Sequence, residues 1–280
     1  MARFRLLAMD IDGTVTDSAH QVRPAVRAAI GAALDQGVAA VLATGRVLST
    51  TRPVADAIDP RLGAITNNGA VIRTRIDQPP LRQSLLPAPV AREVIARLQA
   101  LGLTPIVFAA PDDAEVVAAA ATDRLPPRFA ARFADSLRAV GELAAWVTEP
   151  VLLVTTLLGD TPAAEALVRA QTVLLGAALA GRAAVSPLWH PLYGSWILDF
   201  LAPGCSKWQA LLTYGRVRGI APAEMVAIGD GLNDIPMVSG AGLGVAMGQS
   251  GPELLAAADV VVADNDHDGV AEAIARFVLD

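Results

Sequence analysis

The sequence contains little of what thiolate or imidazole metal sites require. The 280 residues include one cysteine, Cys205, and three histidines, His20, His190 and His267, which lie far apart. A single cysteine excludes an internal disulfide and a thiolate metal site, and it fits a reducing cytosol. The spacing of the histidines gives no zinc-type cluster.

Dense basic runs and long apolar runs are also missing. The formal net charge is -6 and no stretch is rich in Lys and Arg, which argues against a nucleic-acid partner. The longest apolar runs, "AQTVLLGAALAG" and "AAVSPLWHPLYGSWIL", are too short or are broken by proline, so no membrane span is expected. The N-terminal apolar run is too short for a signal peptide. These absences favour a soluble cytoplasmic protein that acts on small molecules.

The chain does have ample apolar residues, 53% of the total, and their pattern along the sequence differs between the outer thirds and the middle. The first and last thirds alternate short apolar runs with helical patterns, as βαβ units do. The segment between them has long helices and a Pro/Arg-rich stretch, "DRLPPRFAARF", but no acid-plus-glycine motif. We therefore predict a Rossmann-like α/β core with a parallel sheet from residues 1–82 and 190–280, and an inserted α/β cap domain at 83–189.

Polar clusters follow three of the predicted core strands: "AMDIDGT", "LATGR" and "AIGDGLND". The carboxyl ends of parallel strands lie at one edge of a sheet, so these clusters are expected to converge. Asp10, Asp12, Asp230 and Asp234 then bring up to four carboxylates into one crevice. Because unneutralised like charges are costly there, a hard divalent cation, Mg²⁺, is predicted.

The same crevice is predicted to bind phosphate. Thr44 and Gly45 end a strand where a helix is expected to begin, and so offer a hydroxyl and backbone N–H groups to an anion. Lys207, at the start of a helix after "PGCS", can supply positive charge to phosphoryl oxygens. Carboxylates, Mg²⁺, a hydroxyl and a lysine together indicate phosphoryl transfer, in which a carboxylate can act as nucleophile and a second acid can move the proton.

In this order, "DIDGT", "TGR", the lysine of "GCSKWQAL" and "GDGLND" resemble the motifs of the haloacid dehalogenase-like (HAD) phosphohydrolases. The flanking "ITNNGAVI", "GLGVAMG" and "ADNDHDGVAEAI" are similar to the Cof-type branch, which carries a class IIB α/β cap. The resemblance covers the two core thirds by motif and the middle by position and length only. It departs from the family at "AMGQS", where Gln249 and Ser250 replace the more usual asparagine and alanine.

The resemblance implies a role for each matching residue. Asp10 is the expected nucleophile, and Mg²⁺ is expected on its second oxygen, on the carbonyl of Asp12 and on Asp230. Asp12 is the expected general acid/base. The expected phosphate-binding residues are Thr44, Gly45, Arg46, Asn68, Asn233 and the catalytic Lys207, while Asp234 is expected to orient Lys207 or a metal-bound water. The implied activity is Mg²⁺-dependent hydrolysis of a small phosphomonoester such as a sugar phosphate, under a cap that closes over the site and selects the leaving group.

Other classes stay open at this stage. A phosphomutase has the same motifs and differs only in the acceptor of the phosphoryl group. A receiver domain of the signalling type also groups acids, Mg²⁺, Thr and Lys around an aspartate, but it is much shorter, and its lysine comes last, whereas Lys207 precedes Asp230. A non-catalytic phosphate-binding protein is disfavoured because every motif position is filled. The sequence contains no indication of oligomeric state.

Overall fold

The computed structural model describes residues 3–109 and 116–279, and the chain divides into two compact units. The first unit comprises Met1–Arg82 and Ser206–Asp280, and the second comprises Gln83–Cys205. The predicted end of the insert, residue 189, differs from this division because the strand Ser195–Leu201 pairs with two strands of the second unit. The end of the predicted strand "TPIVFAA", residue 110, lies outside the described residues.

The first unit contains the predicted sheet. Within the described residues its strands follow the order β14-β13-β12-β1-β2-β3-β4-β5, with parallel pairing from β14 to β3 and antiparallel pairing between β3 and β4. The strands are β1 (Leu6–Met9), β2 (Ala39–Ala43), β3 (Gly63–Thr66), β4 (Val71–Arg73), β5 (Arg82–Gln83), β12 (Met225–Gly229), β13 (Leu243–Ala246) and β14 (Val260–Val261). The predicted parallel α/β core is confirmed.

Helices cover both faces of this sheet, which explains why β1, "LLAM", is apolar throughout instead of alternating. Leu7 and Met9 belong to one core cluster, and Leu6 and Ala8 belong to another cluster on the opposite face. The helices are α1 (Pro24–Asp35), α2 (Leu48–Ile58), α7 (Lys207–Val217), α8 (Ile235–Gly240), α9 (Pro252–Ala257) and α10 (Gly269–Phe277).

The second unit has its own sheet and core. In the described residues the strand order is β10-β11-β9-β6-β7-β8, and the pairing is antiparallel except between β7 and β8. The strands are β6 (Ile106–Ala109), β7 (Val116–Ala119), β8 (Leu137–Ala139), β9 (Leu153–Gly159), β10 (Ala184–His190) and β11 (Ser195–Leu201). The helices are α3 (Ala88–Ala100), α4 (Pro127–Arg132), α5 (Leu143–Trp146) and α6 (Pro162–Ala178).

The longest of these helices, α6, does not reach bilayer length with the required apolarity. Among the residues that the structure describes, no helix is long and apolar enough to cross a membrane.

Candidate active site

Lys207 lies between two aspartates at the carboxyl edge of the first unit's sheet. It is the first residue of α7, and the preceding Ser206 accepts a hydrogen bond from the Gln209 N–H (3.2 Å) as helix cap. The Lys207 Nζ donates to Asp10 Oδ1 at 2.8 Å and to Asp234 Oδ1 at 2.6 Å. The lysine side chain is only 1% exposed. A buried ammonium group is tolerated here because two carboxylates compensate its charge.

The three charges alter one another's proton affinity. Burial raises the pKa of Asp10 to about 7, although the Lys207 charge opposes this rise and the Asp234 charge adds to it. Burial alone lowers the pKa of Lys207, but the charges of Asp10 and Asp234 outweigh burial and raise it above its ordinary value. The lysine therefore stays protonated, and Asp10 is the group of this pair that titrates.

Asp230 approaches the pair from β12, the strand that lies beside β1. The Asp10 N–H donates to the carbonyl of Ile228 (3.0 Å), which places Asp230 next to the end of β1. Asp230 Oδ1 accepts a hydrogen bond from the Thr14 hydroxyl at 3.0 Å. Burial raises the pKa of Asp230 well above its ordinary value, and the neighbouring carboxylates Asp10 and Asp234 raise it further.

Asp234 organises the loop that carries Asp230. Its Oδ2 accepts hydrogen bonds from the backbone N–H groups of Asp230 (3.1 Å) and Gly231 (2.9 Å), while its Oδ1 accepts from Lys207. The side chain is fully buried. Asp234 thus contacts both the loop and the lysine.

The residues present fit a divalent cation. Asp10, Asp230 and Asp234 each offer a carboxylate oxygen, and these oxygens lie within 4.8 Å of one another. Three buried or half-buried carboxylates face one ammonium group, so the carboxylates outnumber the cation beside them. Burial, and to a lesser extent the neighbouring carboxylates, raise the pKa values of Asp10 and Asp230. All-oxygen donors of this kind suit hard cations such as Mg²⁺.

Asp12 is placed differently from the other acids. Its Oδ2 accepts a hydrogen bond from Arg46 Nε (2.7 Å) and its Oδ1 accepts from Arg46 Nη2 (2.5 Å). The carboxylate does not belong to the group of three that could hold a metal. The expected metal contact of Asp12 through its backbone carbonyl stays a prediction.

The segment after β2 differs in part from its prediction. Helix α2 begins at Leu48, not directly after Gly45, so Thr44 and Gly45 lie in a connecting loop. The Thr44 N–H donates to the Ile65 carbonyl (2.8 Å), and the Thr44 hydroxyl accepts from the Arg46 N–H (3.1 Å). Of the predicted backbone donors, the N–H of Thr44 is therefore already bonded inside the protein.

Asn68 and Asn233, predicted from distant motifs, meet in space. The Asn233 Nδ2 donates to Asn68 Oδ1 at 2.9 Å. Asn67 and Asn68 both have left-handed backbone, with φ of 52° and 51°, in the tight turn between β3 and β4. Asparagine tolerates this conformation better than most residues, which explains the "NNG" sequence between the two short strands.

The sequence-based prediction did not include the contact of Thr14, the contact of Gln249, or the fact that the chain has a single lysine. Thr14, which holds Asp230, could have been found as the last residue of "DIDGT". Gln249 donates from Nε2 to the carbonyl of Gly13 at 2.5 Å, so this departure from the family pattern contacts the loop that follows Asp10 and Asp12. Lys207 is the only lysine in the sequence. In a chain whose other side-chain cations are arginines, this choice indicates a need for a compact ammonium group.

Comparison with known proteins agrees with this geometry. The model of the haloacid dehalogenase-like hydrolase family matches residues 7–129 and 192–274. YxeH of Bacillus subtilis strain 168 is 28% identical, and pyridoxal phosphate phosphatase YbhA of Escherichia coli K12 is 25% identical; the alignments span 99% and 98% of this chain and 99% of each relative. The solved structure of the HAD subclass IIB sugar phosphatase BT4131 is 25% identical, with a TM-score of 0.75 over 99% of this chain and 100% of that one.

Some curated relatives are similar over a short segment only. An endoribonuclease from Arabidopsis thaliana and a phosphoglycolate phosphatase from Methanoculleus marisnigri are 42% and 43% identical, but this chain spans 14% and 32% of their respective lengths. Their identities therefore concern 83 and 75 residues and not the whole protein.

A parallel α/β sheet with carboxylates and a lysine at its carboxyl edge defines a class of α/β proteins with a candidate catalytic centre at the strand ends. The family match extends over more than half of the chain, and the chain belongs to the haloacid dehalogenase-like hydrolases. The predicted Cof-type membership and the predicted enzymatic nature are confirmed.

Proposed function

We propose that this enzyme is a Mg²⁺-dependent phosphatase that hydrolyses a small phosphomonoester through a phospho-Asp10 intermediate. The observation that carries the proposal is the Lys207 ammonium group held between Asp10 and Asp234, with Asp230 beside them. A carboxylate next to a fixed ammonium group and a cation site is equipped to attack phosphorus while the phosphoryl charge is neutralised.

Two full-length similarities support this substrate class. YbhA is named a pyridoxal phosphate phosphatase, and BT4131 is described as a sugar phosphatase. Both substrates are small phosphomonoesters. A sugar phosphate or a comparable metabolite is therefore the substrate that we propose for this chain.

In the first step an Asp10 carboxylate oxygen attacks phosphorus. The new oxygen–phosphorus bond forms as the ester oxygen–phosphorus bond breaks, and Asp12 gives a proton to the departing oxygen, which leaves as an alcohol. Lys207 neutralises part of the negative charge on the phosphoryl oxygens. Thr44, Asn68 and Asn233 hold the phosphoryl group.

In the second step water releases the phosphate. Asp12 takes a proton from the water molecule as its oxygen attacks phosphorus, and the Asp10–phosphorus bond breaks. Free phosphate leaves, Asp10 returns to its carboxylate form and Asp12 is again protonated. When bound at Asp10, Asp230 and the Asp12 carbonyl, Mg²⁺ supplies electrostatic stabilisation of the phosphoryl charge.

The test is a panel of phosphorylated metabolites assayed for phosphate release with Mg²⁺ and with a chelator. We expect Mg²⁺-dependent release by the wild type and a loss of at least about 10³-fold in Asp10→Asn, which removes the nucleophile. Asp35→Asn is the matched control, because that side chain is 72% exposed on α1. Full activity of the Asp10 variant would refute the nucleophile assignment, and no release from any substrate would refute the phosphatase proposal.

Product analysis in the same assay separates hydrolysis from phosphoryl transfer. A phosphatase releases inorganic phosphate in equal amount to the alcohol, whereas a mutase returns an isomeric phosphate ester. The selection of the leaving group by the inserted unit and the cytoplasmic location stay predictions from the sequence.

A further inference from the structure

We propose that Arg46 is a positioning residue for the proton-transferring carboxylate of Asp12, not a phosphate ligand. The inference rests on the proposed phosphatase function and adds a residue to it. It departs from the sequence-based prediction, which groups Arg46 with the phosphate-binding residues.

The first reason is the bidentate geometry of the pair. Arg46 Nε and Nη2 donate to the two oxygens of Asp12 at 2.7 and 2.5 Å, so the edge of the guanidinium group meets the edge of the carboxylate. Both side chains are largely buried, with 6% of Arg46 and 11% of Asp12 exposed. Such a pair fixes the orientation of a carboxylate as well as its position.

The second reason is that Arg46 is itself held by the protein. Its Nη1 donates to the Thr50 carbonyl at 3.1 Å, and its backbone N–H donates to the Thr44 hydroxyl at 3.1 Å. Its carbonyl accepts from the Asn67 N–H at 2.8 Å. With all three guanidinium nitrogens engaged in protein contacts and the side chain buried, Arg46 is built into the wall of the site and directed at Asp12.

This arrangement suits the chemistry that Asp12 performs. The proton has to pass between one carboxylate oxygen and an oxygen of the ester or of water, and the rate depends on alignment. Two separate hydrogen bonds allow one oxygen of Asp12 to give up its guanidinium partner, to carry the proton and to face the reacting oxygen, while the second bond still fixes the carboxyl group. A lysine, as a single point charge, does not provide this planar fork.

The test exploits the dependence of the first step on the leaving group. We compare kcat/KM for p-nitrophenyl phosphate with that for the alkyl phosphate of the metabolite panel that the wild type hydrolyses fastest. The nitrophenolate ion leaves without a proton, whereas an alkoxide needs one. Because kcat/KM covers only the steps up to phosphoenzyme formation, it is insensitive to the later action of Asp12 on water.

For Arg46→Gln we expect kcat/KM for the alkyl phosphate to fall roughly 10²-fold and that for p-nitrophenyl phosphate to fall less than about 5-fold. Arg46→Lys is expected to show the same selective loss, and it serves as the second variant if the glutamine variant does not fold. Arg52→Gln is the control, because Arg52 lies nearby in sequence, on α2, and donates to a different acceptor, the Ile76 carbonyl, at 3.3 Å.

Equal losses for both substrates would overturn the inference, since they would indicate a phosphate-binding or merely structural role. Unchanged or increased activity on the alkyl phosphate would overturn it too. If the wild type hydrolyses neither substrate nor any of the panel, the phosphatase proposal fails and this inference fails with it.

A double-mutant cycle gives a second readout. In an Asp12→Ala background the carboxylate is gone, so Arg46→Gln is expected to cause almost no additional loss on the alkyl phosphate. Losses that multiply in the double variant would show that Arg46 acts independently of Asp12, and would contradict its role as a positioning residue.

Discussion

Gly13 is the residue that leaves room for Asp230. Its φ of +78° is in the left-handed region, and a Cβ atom placed there would lie 2.2 Å from Asp230 Oδ2. Two requirements therefore converge on this position, one of backbone conformation and one of space. Asp-Gly in "DIDGT" is a turn signal, and the absence of a side chain at Gly13 also leaves space for the carboxylate of Asp230.

We expect Gly13→Ala to reduce Mg²⁺-dependent activity roughly 10²-fold, because the added methyl group displaces Asp230. Gly37→Ala is a matched control, since Gly37 has a similar φ of +83° but no atom within 4 Å of the added Cβ. Both variants should lose about 1–2 kcal/mol of unfolding free energy from the backbone strain alone. An equal loss of activity in both would show that strain, not the displacement of Asp230, is responsible.

The reactivity of Lys207 can be measured directly because the chain has no other lysine. Burial and its raised pKa leave little free amine on the native protein. We expect acylation at Lys207, followed by peptide mass spectrometry, to be at least about 10²-fold slower in the native protein than in urea. The α-amino group provides an internal reference, and rapid native labelling of Lys207 would contradict the buried ion pairs.

Sequence reasoning placed the polar residues that follow a strand, but it missed the pairing of Asp12 with Arg46. The ends of β1 and β12 could be placed side by side, so the meeting of Asp10 and Asp230 was predictable. The bond between Asp12 and Arg46 was not, because it depends on side-chain directions across 34 residues of sequence. The prediction of up to four carboxylates in one crevice also omitted the arginine charge that faces Asp12.

At the scale of elements, α7, the helix that begins at Lys207, packs against β3. Tyr214 of α7 is buried, and its ring passes over Gly63, the first residue of β3. A Cβ atom at Gly63 would lie 2.4 Å from the Tyr214 Oη and 2.7 Å from a ring carbon. The tyrosine hydroxyl also donates to the Thr74 carbonyl at 3.2 Å, which limits its freedom to move.

We expect Gly63→Ala to lower the unfolding free energy by about 1–3 kcal/mol, because the rigid ring has to shift in a close-packed core. Gly31→Ala in α1 is the control, since nothing lies within 4 Å of its added Cβ. That helical substitution should raise the unfolding free energy by about 0.5–1 kcal/mol. Urea unfolding of both variants measures the difference, and equal effects would contradict the packing argument.

The elements of the first unit were more predictable than those of the second. In the first unit, a proline stands in the first turn of α1, α8 and α9, Ser206 caps α7, and "NNG" separates the antiparallel strands β3 and β4. In the second unit, β10 contains Pro187 and its partner follows a Pro and Gly turn, so the hairpin lacks a clear alternating pattern. The predicted domain boundary at residue 189 therefore lies inside this hairpin. Helix α4 was not predicted, because it lies in the Pro/Arg-rich stretch.

For the molecule as a whole, the excess of buried negative charge links stability to pH and to metal. The pKa of Asp10 rises from 3.8 to about 7 on folding, and that of Asp230 moves in the same direction. Between these two values the folded chain retains a proton that the unfolded chain has lost. The contribution of Asp10 to the unfolding free energy is therefore fully present below pH 3.8 and is lost as the pH rises to about 7.

The loss runs from about pH 4 to about pH 7, so the metal-free protein is expected to lose the greater part of this contribution between about pH 5 and about pH 8. Mg²⁺ is expected to restore stability most at the higher pH, where the carboxylates are ionised. Urea unfolding with a chelator and with Mg²⁺ at both pH values measures the effect. Carboxylates whose pKa is lowered, such as Glu93, change stability in the opposite sense, so the decisive quantity is the difference between wild type and Asp10→Asn. In the chelator, the unfolding free energy of wild type minus that of Asp10→Asn should decrease as the pH rises. With Mg²⁺ this difference should increase as the pH rises, because the asparagine amide cannot replace the ionised carboxylate as a metal ligand. A Mg²⁺ increment that is equal at both pH values and equal in both proteins would show that Asp10 is not a metal ligand.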